Sequence, residues 1–288
     1  MKKRIYSLQN RAGIASLCFI ALGLTACHPK TDHSANEGQA IETEDISWEE
    51  KASAEGCKIS ATYPTDGSNA VIRNIQEWMN EELGGTYDGN LSDGQSMIEY
   101  YGKERAKQIK SDIAEFGENT AMSQSTYYAQ FKRVLETEKF ISYTSNIYEY
   151  MGGAHGGESL TGMVFRKSDG RRFGWDMFTS ESKEQLRSMI KNDLKRKYFT
   201  VKTDEEFYSM LLDKSAYYSF PLPITPPIFR PNGVQFIYQQ YEIAPYASGM
   251  PTCTIPYDSL QSLFTVTMKP LIESTTDSLA RTFSLIPQ

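Results

Sequence analysis

Val71, Ile72, Ile75, Trp78, Met79 and Leu83 recur at intervals of three and four residues, the spacing that lines one face of an α-helix. Ser68 stands where that helix needs a cap and Gly84 where it must end. A second helix is predicted over residues 95–116, after a Gly/Asp/Ser loop, and it stops at Gly117. Ahead of both, residues 57–63 alternate around Ile59 and Ala61 and run into Pro64, which reads as a short strand. From 125 to 151 the chain turns rich in Tyr, Phe, Val and Ile, and the polar break at 136–139 divides it into two strands of a hairpin.

Further along, Ser168-Asp169-Gly170 is a turn signal between two more strands, at 160–166 and 171–175. Leu186, Met189, Ile190 and Leu194 predict a helix from near Ser182, and Thr203 with Glu206 forms a capping-box pattern before a shorter one. The prolines between 221 and 231 keep that stretch extended. Asn232-Gly233 then predicts a hairpin leading into a strand over 234–244, followed by a short strand at 252–256 and a last helix from Asp258. Segregated runs of strands and helices predict an α+β fold, with mainly antiparallel hairpins, packed helices and two intertwined subdomains at 48–151 and 152–288.

The first residues tell a different story. Lys2, Lys3, Arg4 and Arg11 precede an apolar run at 14–24 that is too short to span about 30 Å of hydrocarbon. The combination reads as a signal peptide over 1–26. It ends in Leu24-Thr25-Ala26-Cys27, which resembles the bacterial lipobox, so Cys27 is the expected lipidation site and the membrane a partner through that lipid. His28 and Pro29 follow the cysteine with no Asp beside it, which favours the outer membrane of a Gram-negative cell. Residues 27–47 are polar and aperiodic, a predicted disordered tether.

Charge narrows the partners. Of 30 Lys and Arg, four leave with the signal, so 26 face 36 Asp and Glu and the mature net charge is near −10. That balance argues against nucleic acid as a partner. Cys18 goes with the signal and Cys27 carries lipid, so Cys57 and Cys253 alone enter the fold; in an oxidising envelope they could pair as a disulfide.

Chemistry narrows the function. Among residues 48–288 there is one histidine, His155, with no HExxH and no G-x-S-x-G, so a conventional zinc or nucleophile-elbow centre has no ligand set to use and neither a metal nor another cofactor is expected. His155 lies in Gly152-Gly153-Ala154-His155-Gly156-Gly157, whose glycines permit a sharp structural turn. The imidazole then either hydrogen-bonds within that turn or is presented to a ligand. Pro245 and Tyr246, followed by Ala247-Ser248-Gly249, have the composition of a contact loop, or of a tyrosine pinning the loop to its own sheet. Tyr241 and Ile243 read as core and sheet. The many tyrosines could line a carbohydrate-binding face or fill a sheet core.

Two segments resemble a known family. Tyr150-Met151-Gly152-Gly153-Ala154-His155-Gly156, and the run 234–249 with Ile255-Pro256-Tyr257 after it, are similar to motifs in the extracellular domain of the anti-sigma-V factor and in the region N-terminal to some peptidoglycan deacetylases. The resemblance spans roughly residues 50–268. It implies a two-part α+β ectodomain of the cell envelope whose ligand is a lysozyme-like protein or peptidoglycan. Neither a sigma-binding segment nor a deacetylase domain accompanies it here. The expectation is a non-catalytic binding or sensing protein with no catalytic residues; an envelope hydrolase centred on His155 is the alternative.

Overall fold

The computed structural model describes residues 40–53, 56–65, 69–117 and 120–273, apart from the side chains of Lys214 and Tyr217. The predicted signal peptide, Cys27, most of the tether and Ser68 lie outside the described residues.

A six-stranded sheet organises the first half. Its strands, in chain order, are β1 (Thr43–Glu50), β2 (Gly56–Pro64), β3 (Thr126–Glu136), β4 (Phe140–Tyr150), β5 (Gly157–Arg166) and β6 (Arg172–Phe173), and they lie side by side in that same order. All neighbours are antiparallel except β2 and β3, which run parallel. The cause is the crossover: α1 (Ala70–Leu83) and α2 (Gly94–Phe116) intervene between those strands, and a helical connection returns the chain in the same direction.

The helices form where their apolar periods predict. Asn69, one position after Ser68, caps α1 by accepting from Val71 N at 2.9 Å, and Gly84 ends it at φ 126°. Asp93 caps α2 through Ser96 N. Their buried stripes cover one face of the sheet, where Trp78 meets Phe131 and Phe165 edge-on at 5.8 and 5.9 Å.

The second half packs on the opposite face. There α3 (Lys183–Asp193) and α4 (Asp204–Ser209) surround a small antiparallel sheet of β7 (Ile228–Arg230), β8 (Gly233–Ile237) and β9 (Thr252–Ile255), followed by α5 (Tyr257–Leu260). The capping box at Thr203 and Glu206 forms as predicted. Leu135, Phe140 and Val164 of the large sheet join this second core, so β3 to β5 serve two cores, one on each face.

Four expectations need correction. The sheet runs across the predicted 151/152 boundary, because β4 and β5 are hydrogen-bonded neighbours. The end of the predicted tether at 27–47 is folded chain instead: Ile41 is buried and β1 begins at Thr43. The strand predicted over 234–244 stops at Ile237, for reasons given below. Cys57 and Cys253 are free thiols rather than a disulfide, since Cys57 belongs to the helix-side core and Cys253, on β9, to the other. Burial pushes the Cys57 thiol up to about 12, with Arg105 pulling weakly the other way, and burial raises the Cys253 thiol as well.

Candidate functional site

The glycine loop is the turn that joins β4 to β5. Gly152 and Gly153 hold φ of 84° and 102°, which side-chain-bearing residues rarely adopt, and the Tyr150 hydroxyl donates to the Gly153 carbonyl at 3.0 Å. Gly156 is needed for a different reason, because the Tyr148 ring occupies the space where its Cβ would stand. Gly157 opens β5 in free space without a left-handed φ, so it has neither requirement. The turn leaves His155 exposed.

A second loop is brought to this turn by two glutamines. Among the described residues no strand flanks the outer edge of β5 at 158–160; instead, Gln240 Oε1 accepts from Glu158 N at 2.9 Å. Gln239 does the same one step along, accepting from Leu160 N at 3.1 Å and donating to Leu160 O at 2.9 Å. These side chains satisfy backbone groups that would otherwise need a strand, and for that reason β8 ends at Ile237 and the chain peels away. Glu242 braces the loop by accepting from Gln239 N and Ile224 N, both at 2.7 Å.

The outcome is a cluster of three rings from distant parts of the sequence. His155 stacks on Tyr246, with centroids 3.7 Å apart and planes at 15°. Its Nε2 lies 3.1 Å from the Tyr241 hydroxyl, and its Nδ1 lies 3.0 Å from the Gly156 carbonyl. Tyr241 itself adopts φ 64°, a left-handed conformation costly for a ring-bearing residue, and is 53% exposed. It was read from the sequence as core; the structure puts it on the surface, where its hydroxyl meets the imidazole. Ile243 is buried as expected, though outside any strand. Pro245 is exposed and enters the short turn Tyr246–Ser248, held by the Tyr198 hydroxyl donating to Ser248 O at 2.5 Å.

His155 and Tyr246 form one wall of an open groove of about 430 Å³, whose other wall is Thr126, Tyr128, Tyr148 and Tyr150 of β3 and β4. The structure therefore joins three of the predicted ligand residues' neighbourhoods: His155 and Tyr246 touch, and Pro245 adjoins them. Sequence reasoning missed Tyr241, Gln239 and Gln240. The signal for the glutamines was there, as two adjacent polar residues interrupting an otherwise apolar strand. Among the described residues, no group of three or more His, Cys, Asp or Glu side chains is gathered to hold a metal ion.

Comparison with known proteins falls along the same division. Residues 50–158 match the family model described as Deacetylase PdaC, and residues 175–258 match that of a protein of unknown function, DUF3298. The two motifs quoted above fall one in each match, so the resemblance read from them is upheld. No curated protein matches the chain. Among solved structures, a DUF3298 member from Bacteroides fragilis shares 22% identity over 84% of this chain and 99% of its own, with a TM-score of 0.69. A DUF3298 protein from Pseudomonas aeruginosa PAO1 shares 15% identity over 79% of this chain and 96% of its own, with a TM-score of 0.56. At these identities the likeness is one of fold. The family matches indicate a cell-envelope-related protein. No helix among the described residues is long and apolar enough to cross a membrane.

Proposed function

We propose that the chain is a lipid-anchored, non-catalytic binding or sensing protein of the cell envelope, held through Cys27, most favourably at the outer membrane. Its ligand in this reading is a lysozyme-like protein or peptidoglycan. One observation carries the reading: the His155, Tyr246 and Tyr241 rings are assembled on the surface beside an open groove, at the expense of a left-handed backbone at Tyr241. Strain retained at an exposed position is characteristic of sites that meet a ligand. Aromatic anchors beside small residues are also what contact surfaces favour. Among the described residues His155 meets Tyr241, Tyr246 and the Gly156 carbonyl, none of them a carboxylate or thiol, which supports contact over catalysis.

Capture of the purified protein on immobilised lysozyme and on peptidoglycan fragments tests the proposal. Wild-type protein is expected to be retained by one of the two, and Tyr246→Ala to reduce retention at least tenfold with an unchanged melting temperature. Release of soluble product from peptidoglycan that His155→Ala abolishes would instead establish the hydrolase alternative.

A further inference from the structure

Beyond the ring cluster, the same sheet face carries a second groove. It is about 490 Å³, crosses β1 to β4, and is lined by Lys58, Gln130, Asn146, Tyr128 and Tyr148 with Ser60. Tyr128 and Tyr148 also border the His155 groove, so the two grooves share these rings. We infer that this groove is a glycan-binding site, taking an uncharged, extended oligosaccharide across the strands. The inference rests on the envelope reading above and names one ligand class for it.

The register sets the floor. Tyr128 and Tyr148 are direct cross-strand partners, with rings 6.4 Å apart and inclined by only 22°. Such a pair offers two nearly parallel aromatic faces, to which the C–H face of a pyranose can pack while its hydroxyls turn to the rim. Next to them, Ser60, Gln130 and Asn146 form one continuous row, since Ser60 pairs with Gln130 and Gln130 with Asn146. Hydroxyl and amide groups in a row give both donors and acceptors, as a sugar requires.

Charge and size select among occupants. Lys58 is already matched by Glu49 at 3.4 Å, so the groove offers no net charge to an anion and its neutral row complements a neutral ligand. A protein partner would want an apolar centre surrounded by a polar rim, whereas here the apolar part is two phenol rings and Ala129. Four strands at their usual spacing make the groove about 14 Å long, which suits an oligosaccharide better than a single sugar.

The test is calorimetric titration of the full-length, detergent-solubilised protein with N-acetylglucosamine hexamer, beside lysozyme capture of the same preparation. The hexamer is expected to bind, Tyr128→Ala and Tyr148→Ala each to weaken it about tenfold, and Tyr128→Phe to restore it, all with unchanged melting temperature. Absence of heat with the hexamer, or wild-type affinity kept in both alanine variants, overturns the inference. Lysozyme capture without hexamer binding removes this site alone, while Tyr128-dependent hexamer binding without capture supports it and removes the protein-ligand reading.

Discussion

The two faces of the six-stranded sheet are made by alternate residues of the same strands, yet they have opposite fates. On β3, Tyr127, Ala129 and Phe131 enter the helix-side core, while Tyr128 and Gln130 between them line a groove. On β4 the second face changes along its length: Phe140 is sealed into the C-terminal core, whereas Tyr148 and Tyr150 are half-buried beside His155. Binary alternation thus states that a strand has two faces but not that each is closed. What closes a face is the element that arrives over it, here α1 and α2 on one side and β7 with its neighbours on part of the other.

The contrast can be challenged by mutation. Phe131→Ala removes a ring from the closed face and should cost about 3–5 kcal/mol in urea denaturation; a loss below 1 kcal/mol would mean that the helix-side core is not packed as described. Gly162 lies where β5 passes under the buried Ile228 of β7, and an added Cβ would come within 2.7 Å of the Ile228 side chain and 2.8 Å of the Tyr143 carbonyl. Gly162→Ala should therefore cost about 1–3 kcal/mol by overpacking, and an unchanged stability would show that the seam yields.

A smaller effect with the opposite sign is expected at the ring cluster. Tyr241→Gly relieves the left-handed backbone and should raise stability by about 1 kcal/mol or less while lowering retention on the captured partner. Stability that falls by more than this would make Tyr241 a structural residue. On the open face, Tyr128→Ala should change stability by no more than about 0.5 kcal/mol. There too, Lys58→Cys should be alkylated rapidly at pH 8, while Cys57 next to it stays unmodified until denaturant is added, because its thiol is buried and pushed up to about 12. Equal labelling of the two positions would mean that β2 does not present alternate residues to opposite environments.

Local chemistry was readable in advance because its causes are local. The three-and-four spacing of α1, the Asn232-Gly233 hairpin and the Thr203/Glu206 box need only neighbouring residues, and all three form. The exact cap of α1 shifted by one residue, since Ser68 and Asn69 are both competent and only the path of the chain chooses. The notable turn around His155 was also visible, as glycines have few other reasons to cluster.

What the residues could not declare was the company they keep at long range. Gln239 and Gln240 look like strand residues until β5, some eighty positions earlier, offers its unpaired edge to their side chains. Tyr241 looks like core until that attachment turns it outward onto His155. Cys57 and Cys253 look like a pair until a sheet separates their cores. Sequence by itself determined the main helices and hairpins, because periodicity, caps and turns act within a few residues. Tertiary structure alone decided which face stayed open and which side chains met there, because those contacts depend on how distant segments satisfy one another's buried backbone groups.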